Sequence, residues 1–231
     1  MKDIKAVKGK YYIQRLIEEG EHVHQDFKYA ISDARKIARS LSAFANNDGG
    51  RLLVGVKDNG AIAGVRSEED IYVIEQAAEM YCKPSLPVEV TAFACGEGAV
   101  VMRVVIERAE RRPVVVCEAD GKRRAYYRVA DENIAVSPLI VRAWRARAAE
   151  ATPRLMSIDG VAAELLHLAG EADGTDTDTL MRAAHVSRST AEDTVVTLHA
   201  MGLVDFVYRD GRFVICLLYT SPSPRDLSTS R

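Results

Sequence analysis

The chain has 231 residues, of which 48% are hydrophobic, and its formal net charge at pH 7 is -2. These values are typical of a globular protein with room for two domains. No apolar run approaches the ~18 residues that a membrane span needs, and the N-terminal segment MKDIKAVKGKYY lacks the apolar core of a signal peptide. We therefore expect a cytoplasmic protein that does not associate with a membrane.

The cysteines stand alone, without a CxxC motif or a Cys/His cluster, at Cys82, Cys95, Cys117 and Cys216. This spacing favours buried thiols over a disulfide framework or a metal site. His22 and His24 could lie on one face of a strand, but two imidazoles alone make an incomplete metal site.

The first predicted elements are a helix over 11–19, which Gly20 ends, and a weakly alternating strand over 21–28. Ser32 and Asp33 are candidate N-caps for the next helix, which runs through Ile37 and Leu41 to Phe44. That helix leads into the sequence Asn46-Asn47-Asp48-Gly49-Gly50, whose residues tolerate positive φ and end the helix.

A short apolar run, Leu52 to Val56, follows this glycine turn and predicts a buried strand. Asp58-Asn59-Gly60 is a tight-turn signal, so we expect a β-hairpin that continues to Val65. A polar turn between two apolar elements is a common place for a backbone to contact a ligand.

Helix and strand segments are mixed further along the chain, without strict alternation. Ser67 to Asp70 predicts the cap of a helix that runs to Tyr81. Strands are predicted at 88–96, 99–108, 113–119 and 123–130, and a last helix at 138–149. This order predicts an α+β domain over 1–150, a mixed sheet with helices on one side.

After a predicted linker at 151–157, the order of elements changes to three helices and a hairpin. The helices are expected at 158–169, 179–184 and 189–201, with Ser187 or Ser189 as the cap of the third, and Asp210-Gly211 turns the hairpin. This is the layout of a winged helix-turn-helix over 158–216. Residues 217–231 break the earlier patterning and resemble a translated vector or adapter fragment, so we expect an unstructured, non-native tail.

Charge is distributed unevenly along the chain. Residues 101–154 contain 12 Lys and Arg against 7 Asp and Glu, a balance of +5, whereas residues 155–216 contain 4 Arg and 10 acids, a balance of -6. The basic helix at 138–149 is either a solvated face or a strip that faces phosphates. In the acidic segment, Arg188 could contact DNA bases. Because the charge balance of this segment is negative, dimerisation or protein contact is an equally good hypothesis for it.

The sequence resembles a known family at several motifs in the same order. They are Glu21-x4-Asp26-Phe27-Lys28, then Ala43-Phe44-Ala45-Asn46-Asn47-x-Gly49-Gly50, then Leu53-Val54-Gly55-Val56-x-Asp58-Asn59-Gly60 with Gly64-Val65, and finally Tyr126-Tyr127-Arg128-Val129 with Ala135. Together they resemble the Schlafen AlbA-type domain, called "divergent AAA" in older descriptions, over roughly residues 10–145.

The resemblance implies a nucleic-acid-binding domain, which in bacterial regulators is often followed by a winged helix. Members of the family are also often labelled as ATP-binding. The label has little support in the residues, because Gly9-Lys10 is followed by Tyr11 and Gly121-Lys122 by Arg123, so no GxxxxGK[ST] loop is present.

Some relatives of this family are RNA endonucleases that use three carboxylates. The resemblance places the first two at Glu21 and Asp26, and Asp58 is a candidate for the third. Three such carboxylates would hold a divalent cation, Mg²⁺ or Mn²⁺, with Glu21 and Asp26 as its ligands. The alternative is that Glu21 and Asp26 pair with Lys28, Arg35 or Arg39.

A binding role needs cations beside backbone donors, and one set of residues provides both. Its members are Lys28, Asn46, Asn47, Gly49, Gly50, Arg51 and Arg128. The leading hypothesis is therefore a nucleic-acid-binding transcriptional regulator, for DNA rather than RNA, that could form homo-oligomers. The alternatives are a metal-dependent RNA endonuclease and an interaction module whose acidic winged helix binds protein.

Overall fold

The computed structural model describes residues 6–65, 69–149, 158, 160–171 and 173–218. Contacts within the chain divide it into two compact units, residues 1–136 and 137–231, and each unit has its own hydrophobic core. Within the described ranges, none of the helices combines the length and the apolar character needed to cross a membrane.

The N-terminal unit mixes helices and strands. Its helices are α1 (Lys10–Glu18), α2 (Ala34–Asn46) and α3 (Glu69–Gln76), and α3 continues as a π-helix over Ala77–Tyr81. Its strands are β1 (Val7–Lys8), β2 (Gln25–Lys28), β3 (Gly50–Val54), β4 (Cys82–Lys83), β5 (Glu89–Ala94), β6 (Val100–Ile106), β7 (Val115–Cys117), β8 (Arg123–Val129) and β9 (Glu132–Ala135).

Five of these strands form a mixed sheet in the order β1-β5-β6-β3-β2. The outer pairs β1–β5 and β2–β3 are parallel, while β5–β6 and β6–β3 are antiparallel. The other four form an antiparallel sheet in the order β4-β7-β8-β9. The predicted α+β class with a mixed sheet is confirmed.

Helix α2 lies between the two sheets and packs on both. The Asp33 carboxylate caps it by accepting the backbone N–H of Arg35 at 2.9 Å, as the sequence predicts for a residue of this type. Ile37, Leu41 and Phe44 follow at helical spacing and are fully buried or nearly so. The helix is therefore a central core element to which both sheets are attached.

The opposite face of the mixed sheet is only partly covered. Helix α1 packs there through Ile13 and Leu16 against Phe27, Leu53 and neighbouring apolar residues. This position differs from the prediction that helices cover one side alone, because the alternating side chains of β3 present Leu52 to α2 and Leu53 to α1. With only 9 residues, α1 leaves part of this face open.

The C-terminal unit contains helices and one two-stranded antiparallel hairpin. The elements are α4 (Pro138–Ala149), α5 (Gly160–Ala169), α6 (Thr177–Ala184), α7 (Arg188–Ala200), β10 (Val204–Arg209) and β11 (Arg212–Leu217). Ser187, one of the two predicted caps, accepts the backbone N–H of Thr190 at 3.2 Å.

The division between the units differs from the predicted domain limit at residue 150. Helix α4 groups with the C-terminal unit because it packs along α7, where Arg142 pairs with Glu192 and Asp193. The predicted linker at 151–157 and the Ser67 cap lie outside the described residues, as does the predicted tail except Leu217, which ends β11, and Leu218.

Candidate functional site

The glycine turn after α2 contacts its own chain closely. Gly49 has φ +78°, and its N–H donates to Phe44 O at 3.0 Å. A Cβ on Gly49 would lie 2.8 Å from Ile106 O, and one on Gly50 would lie 2.3 Å from the Phe44 ring. The glycines are thus required by the packing of α2 against β3 and β6, whatever the turn also binds.

Asn46 points into the protein interior and is fully buried. Its amide nitrogen donates to Val114 O at 2.8 Å and to Tyr126 O at 2.9 Å, and its Oδ1 accepts Val114 N at 2.8 Å. The side chain therefore joins the end of α2 to the antiparallel sheet. This differs from the predicted phosphate contact, because burial leaves no face of the amide open to a ligand.

Arg128 is also interior, with a relative accessibility of 1%. Its guanidinium donates to Asn133 Oδ1 at 3.1 Å and to Gln25 O at 3.3 Å, and it lies over the Phe44 ring at 5.3 Å. The backbone carbonyl of Arg128 accepts the Asn47 amide at 3.2 Å. Arg128 and Asn47 thus hold β8 against α2 and β2. This contact within the protein differs from their predicted role in binding phosphate.

Asp26 lies between two cations in this region. Arg128 is 3.3 Å from one of its oxygens, and the other is 2.7 Å from Lys28 Nζ and accepts the Ser40 hydroxyl at 3.2 Å. This pairing with Lys28 is the alternative that the sequence left open. The positive charge of Lys28, predicted to face phosphate, is therefore already matched by a carboxylate.

Glu21 and Asp26 lie close enough to influence each other's pKa. Burial, and then the hydrogen bond to Asp26, raises the pKa of Glu21. Burial alone would raise the pKa of Asp26 as well, but the charge of Lys28 and the hydrogen bonds from Glu21 and Lys28 lower it. The two acids therefore differ in protonation tendency, Glu21 holding a proton more readily than Asp26.

These donors do not fit a divalent cation in this arrangement. Both oxygens of Asp26 already face cationic groups, and Glu21 Oε1 accepts the backbone N–H of Phe27 at 2.8 Å. Asp58 is exposed in the turn after β3. Among the described residues, no three His, Cys, Asp or Glu side chains are placed to hold a metal ion.

Arg51 behaves differently, because it lies at the open part of the sheet face. Its Nε donates to Gln25 Oε1 at 2.6 Å, and its terminal nitrogen pairs with the exposed Glu19. It lines a cleft of about 250 Å³ together with Gly49, Gly50 and His24. Of the predicted phosphate-binding set, the two glycines and Arg51 are the members that meet at this cleft.

Arg103 on β6 is a second cation of the cleft, and the sequence analysis missed it. It is directly opposite Leu53, and Val105 is directly opposite Arg51, so both arginines lie on the same sheet face. Its NH1 group donates to the Tyr12 hydroxyl at 2.5 Å. The signal in the sequence was the single charged residue inside the apolar run Val100 to Ile106.

In the C-terminal unit, Arg188, the candidate base-reading residue, is exposed at the start of α7. Its guanidinium lies 2.5 Å from an Asp178 oxygen and 4.0 Å from a Glu192 oxygen. Arg142 of α4 covers Glu192 and Asp193 from the other side. Arg188, the cation at the exposed start of α7, is therefore already paired with acids.

Two solved structures are similar to this chain at low sequence identity. No curated protein matches the chain. The DIP2311 protein of Corynebacterium diphtheriae is 18% identical with a TM-score of 0.43, covering 83% of this chain and 34% of its own, so the chain spans about a third of that structure. The N-terminal domain of a RecG-related protein from Nitrosomonas europaea is 19% identical with a TM-score of 0.39, covering 57% of this chain and 97% of its own.

The family profile described as Schlafen, AlbA_2 matches residues 21–137, just over half of the chain. The matched range contains the glycine turn, the Asp26–Arg128 ion pair and both cleft arginines. The chain belongs to the Schlafen AlbA_2 family.

Proposed function

We propose that the chain is a nucleic-acid-binding protein that acts as a transcriptional regulator, with DNA as the expected ligand. The observation that carries the proposal is the pair of arginines, Arg51 and Arg103, on the open sheet face beside Gly49 and Gly50. Arginine is well suited to phosphate because its planar guanidinium can donate two parallel hydrogen bonds.

Both arginines have partners that a phosphate could replace. Arg51 pairs with Glu19, whose side chain is 47% exposed, and Arg103 pairs with Glu89, whose side chain is 70% exposed. Exposed ion pairs of this kind contribute about 0–1 kcal/mol, so little free energy opposes their exchange for a nucleic-acid phosphate. The buried pair of Arg128 and Asp26 has no such freedom.

The C-terminal unit supports the regulator part of the proposal by its order of elements. Helices α5, α6 and α7 followed by the β10–β11 hairpin have the layout of a winged helix-turn-helix. Its acidic balance and the pairing of Arg188 with Asp178 weaken direct DNA reading by α7. We therefore propose that nucleic-acid affinity resides mainly in the N-terminal unit, and that the C-terminal unit contributes dimerisation or protein contact.

The test is a titration of the full chain with labelled DNA and with RNA of the same sequence, each as a duplex and as a single strand, over a series of salt concentrations. We expect binding that weakens steeply as salt rises, because phosphate contacts release counterions. Arg51→Gln should weaken binding, whereas Lys57→Gln, which removes an equal charge outside the cleft, should not. Absence of binding to either nucleic acid at low salt would overturn the proposal.

A further inference from the structure

The open half of the mixed sheet forms a concave cleft whose walls differ in chemistry. Tyr12 of α1 forms one wall, and His24 with the Gly49-Gly50 backbone forms the other. Partly buried Val105, the penultimate residue of β6, also lines the cleft. The cleft thus offers an aromatic ring, backbone groups and two arginines to a ligand.

An aromatic and cationic stack forms the Tyr12 wall. The Tyr12 ring lies 5.3 Å from the Phe93 ring, and the Arg103 guanidinium lies 5.6 Å from the Tyr12 centroid and 5.7 Å from that of Phe93. Nε of Arg103 is buried and has no hydrogen-bond partner. The stack therefore fixes the guanidinium in place while leaving part of its donor capacity unused.

The position of Arg51 adds a phosphate contact to this platform. Because Arg51 is opposite Val105 and Arg103 is opposite Leu53, the two arginines are diagonal neighbours on adjacent antiparallel strands. Residues in that relationship lie about 7–8 Å apart, so long side chains from the two positions can contact the same bound molecule.

We propose that this cleft binds one unpaired nucleotide, either free or within a single strand, with its base against the Tyr12–Arg103 platform and its phosphate at Arg51. Aromatic rings and guanidinium planes stack bases of any sequence. A base inside a duplex cannot reach a concave site, because it is already stacked and paired. The inference rests on the proposed nucleic-acid function and specifies the form of the ligand.

The acids near the cleft set a limit on its affinity. Asp48 is held by Arg108 at 2.8 Å, and Glu107 is exposed at the end of β6. Glu19 must leave Arg51 when the phosphate binds there, and Glu89 lies beside Arg103. Binding should therefore be dominated by base stacking together with the arginines rather than by a large positive field.

The chain contains a matched control for the platform. Lys57 lies over the Tyr29 ring at 5.3 Å, also an exposed pair of a cation and an aromatic ring. Tyr29 and Lys57 follow the carboxyl ends of the parallel strands β2 and β3, whereas Gly50 and Arg51 begin β3. Neither Tyr29 nor Lys57 lines the cleft.

The experiment measures fluorescence anisotropy of the full chain with three probes: a labelled thymidine oligonucleotide of about 12 residues, the same sequence as a duplex, and the mononucleotide dTMP as a competitor. We expect the single strand to bind more tightly than the duplex. Tyr12→Ala should weaken its binding about 5- to 150-fold, the range for loss of one stacked base. Arg103→Gln should also weaken it, while Tyr29→Ala and Lys57→Gln, which lie outside the cleft, should leave it unchanged.

Competition by dTMP would identify a free nucleotide as a sufficient ligand, and its absence together with oligonucleotide binding would identify a strand. The inference is overturned if the duplex binds and the single strand does not, or if Tyr12→Ala binds the single strand as the unmodified chain does. Circular dichroism of each variant separates unfolding from loss of the site. Failure of all three probes would contradict the proposed function itself, which is a different result.

Discussion

Arg128 and Asp26 form an ion pair inside the N-terminal unit, with 3.3 Å between a guanidinium nitrogen and a carboxylate oxygen and side chains that are only 1% and 3% exposed. The pair connects β8 of the antiparallel sheet to β2 of the mixed sheet. Both residues belong to the motifs by which the sequence resembles its family. Their contacts indicate that these motif positions stabilise the fold.

The first prediction follows from this ion pair. Arg128→Lys should lower the free energy of unfolding by about 3 kcal/mol, because breaking a buried pair by changing one partner typically costs ~3–5 kcal/mol and Lys28 still compensates Asp26. Urea denaturation followed by circular dichroism measures the change. Arg108→Lys, at the exposed pair with Asp48, is the control and should have little effect. Equal effects of the two variants would contradict the prediction.

Asn46 gives a second prediction. Asn46→Ala should destabilise the protein by about 1–3 kcal/mol for each buried partner that loses its hydrogen bond, and the Val114 N–H and the Tyr126 carbonyl each lose one. Asn59→Ala is the matched control, since Asn59 is exposed and its side chain accepts the backbone N–H of the nearby Ala61. If Asn46→Ala kept full stability but lost nucleic-acid binding, the structural role would be wrong and the predicted ligand contact would be restored.

A comparison of Gly49 with Gly98 separates two effects of replacing a glycine, the strain of a left-handed backbone and the clash of an added Cβ. Their φ angles are almost equal, +78° and +77°, but a Cβ on Gly98 meets nothing within 4 Å, whereas one on Gly49 lies 2.8 Å from Ile106 O. Gly98→Ala should cost about 1–2 kcal/mol, the cost of a left-handed conformation. Gly49→Ala should cost clearly more, because a backbone carbonyl cannot move aside. Thermal unfolding of both variants checks this, and equal losses would argue against the close approach.

The lowered pKa of Glu118 leads to a prediction of how the stability of the protein depends on pH. Two hydrogen bonds from Arg39 lower the pKa of Glu118, which is buried, and the Tyr126 hydroxyl adds a third at 2.5 Å. A lowered folded pKa means that this stabilisation is present above the unfolded value of about 4.3 and is lost as pH falls through the folded value. Stability should therefore decrease on acidification below about pH 4.

The variant Glu118→Gln tests whether Glu118 causes this loss of stability at low pH. It should unfold more easily at pH 7, by about 2 kcal/mol for the lost charged hydrogen bonds, and its stability should change less between pH 4 and the acid limit. Urea midpoints measured across this pH range give both quantities. A variant that retains the full acid dependence would show that other carboxylates cause it.

The metal hypothesis leads to a prediction about Mg²⁺ and Mn²⁺. Because Lys28 and Arg128 already compensate Asp26, neither cation should raise the Tm of the protein. Structured RNA incubated with the protein and either cation should stay intact. A metal-dependent rise in Tm that Glu21→Gln removes, or RNA cleavage that the same variant abolishes, would contradict this and favour the endonuclease.

The sequence predicted the elements that depend on local chemistry. The caps of α2 and α7 at Asp33 and Ser187, the helix Pro138–Ala149 and the hairpin turn at Asp210-Gly211 all follow from residues that are neighbours in the chain. Short, polar β9 was not predicted as a strand, because its pairing with β8 depends on a neighbour and not on its own pattern.

The direction of each candidate side chain was decided only by the tertiary structure. In the sequence, Asn46 and Arg128 are polar residues of the family motifs, and nothing local indicates where they point. In the structure, their hydrogen bonds to groups about 80 to 100 residues away show that they point inward. Arg103 and Tyr12 are 91 residues apart and meet only because β6 lies beneath α1. Sequence patterns determine which elements form, but a site is made by contacts between distant residues, and those depend on how the sheets and helices pack.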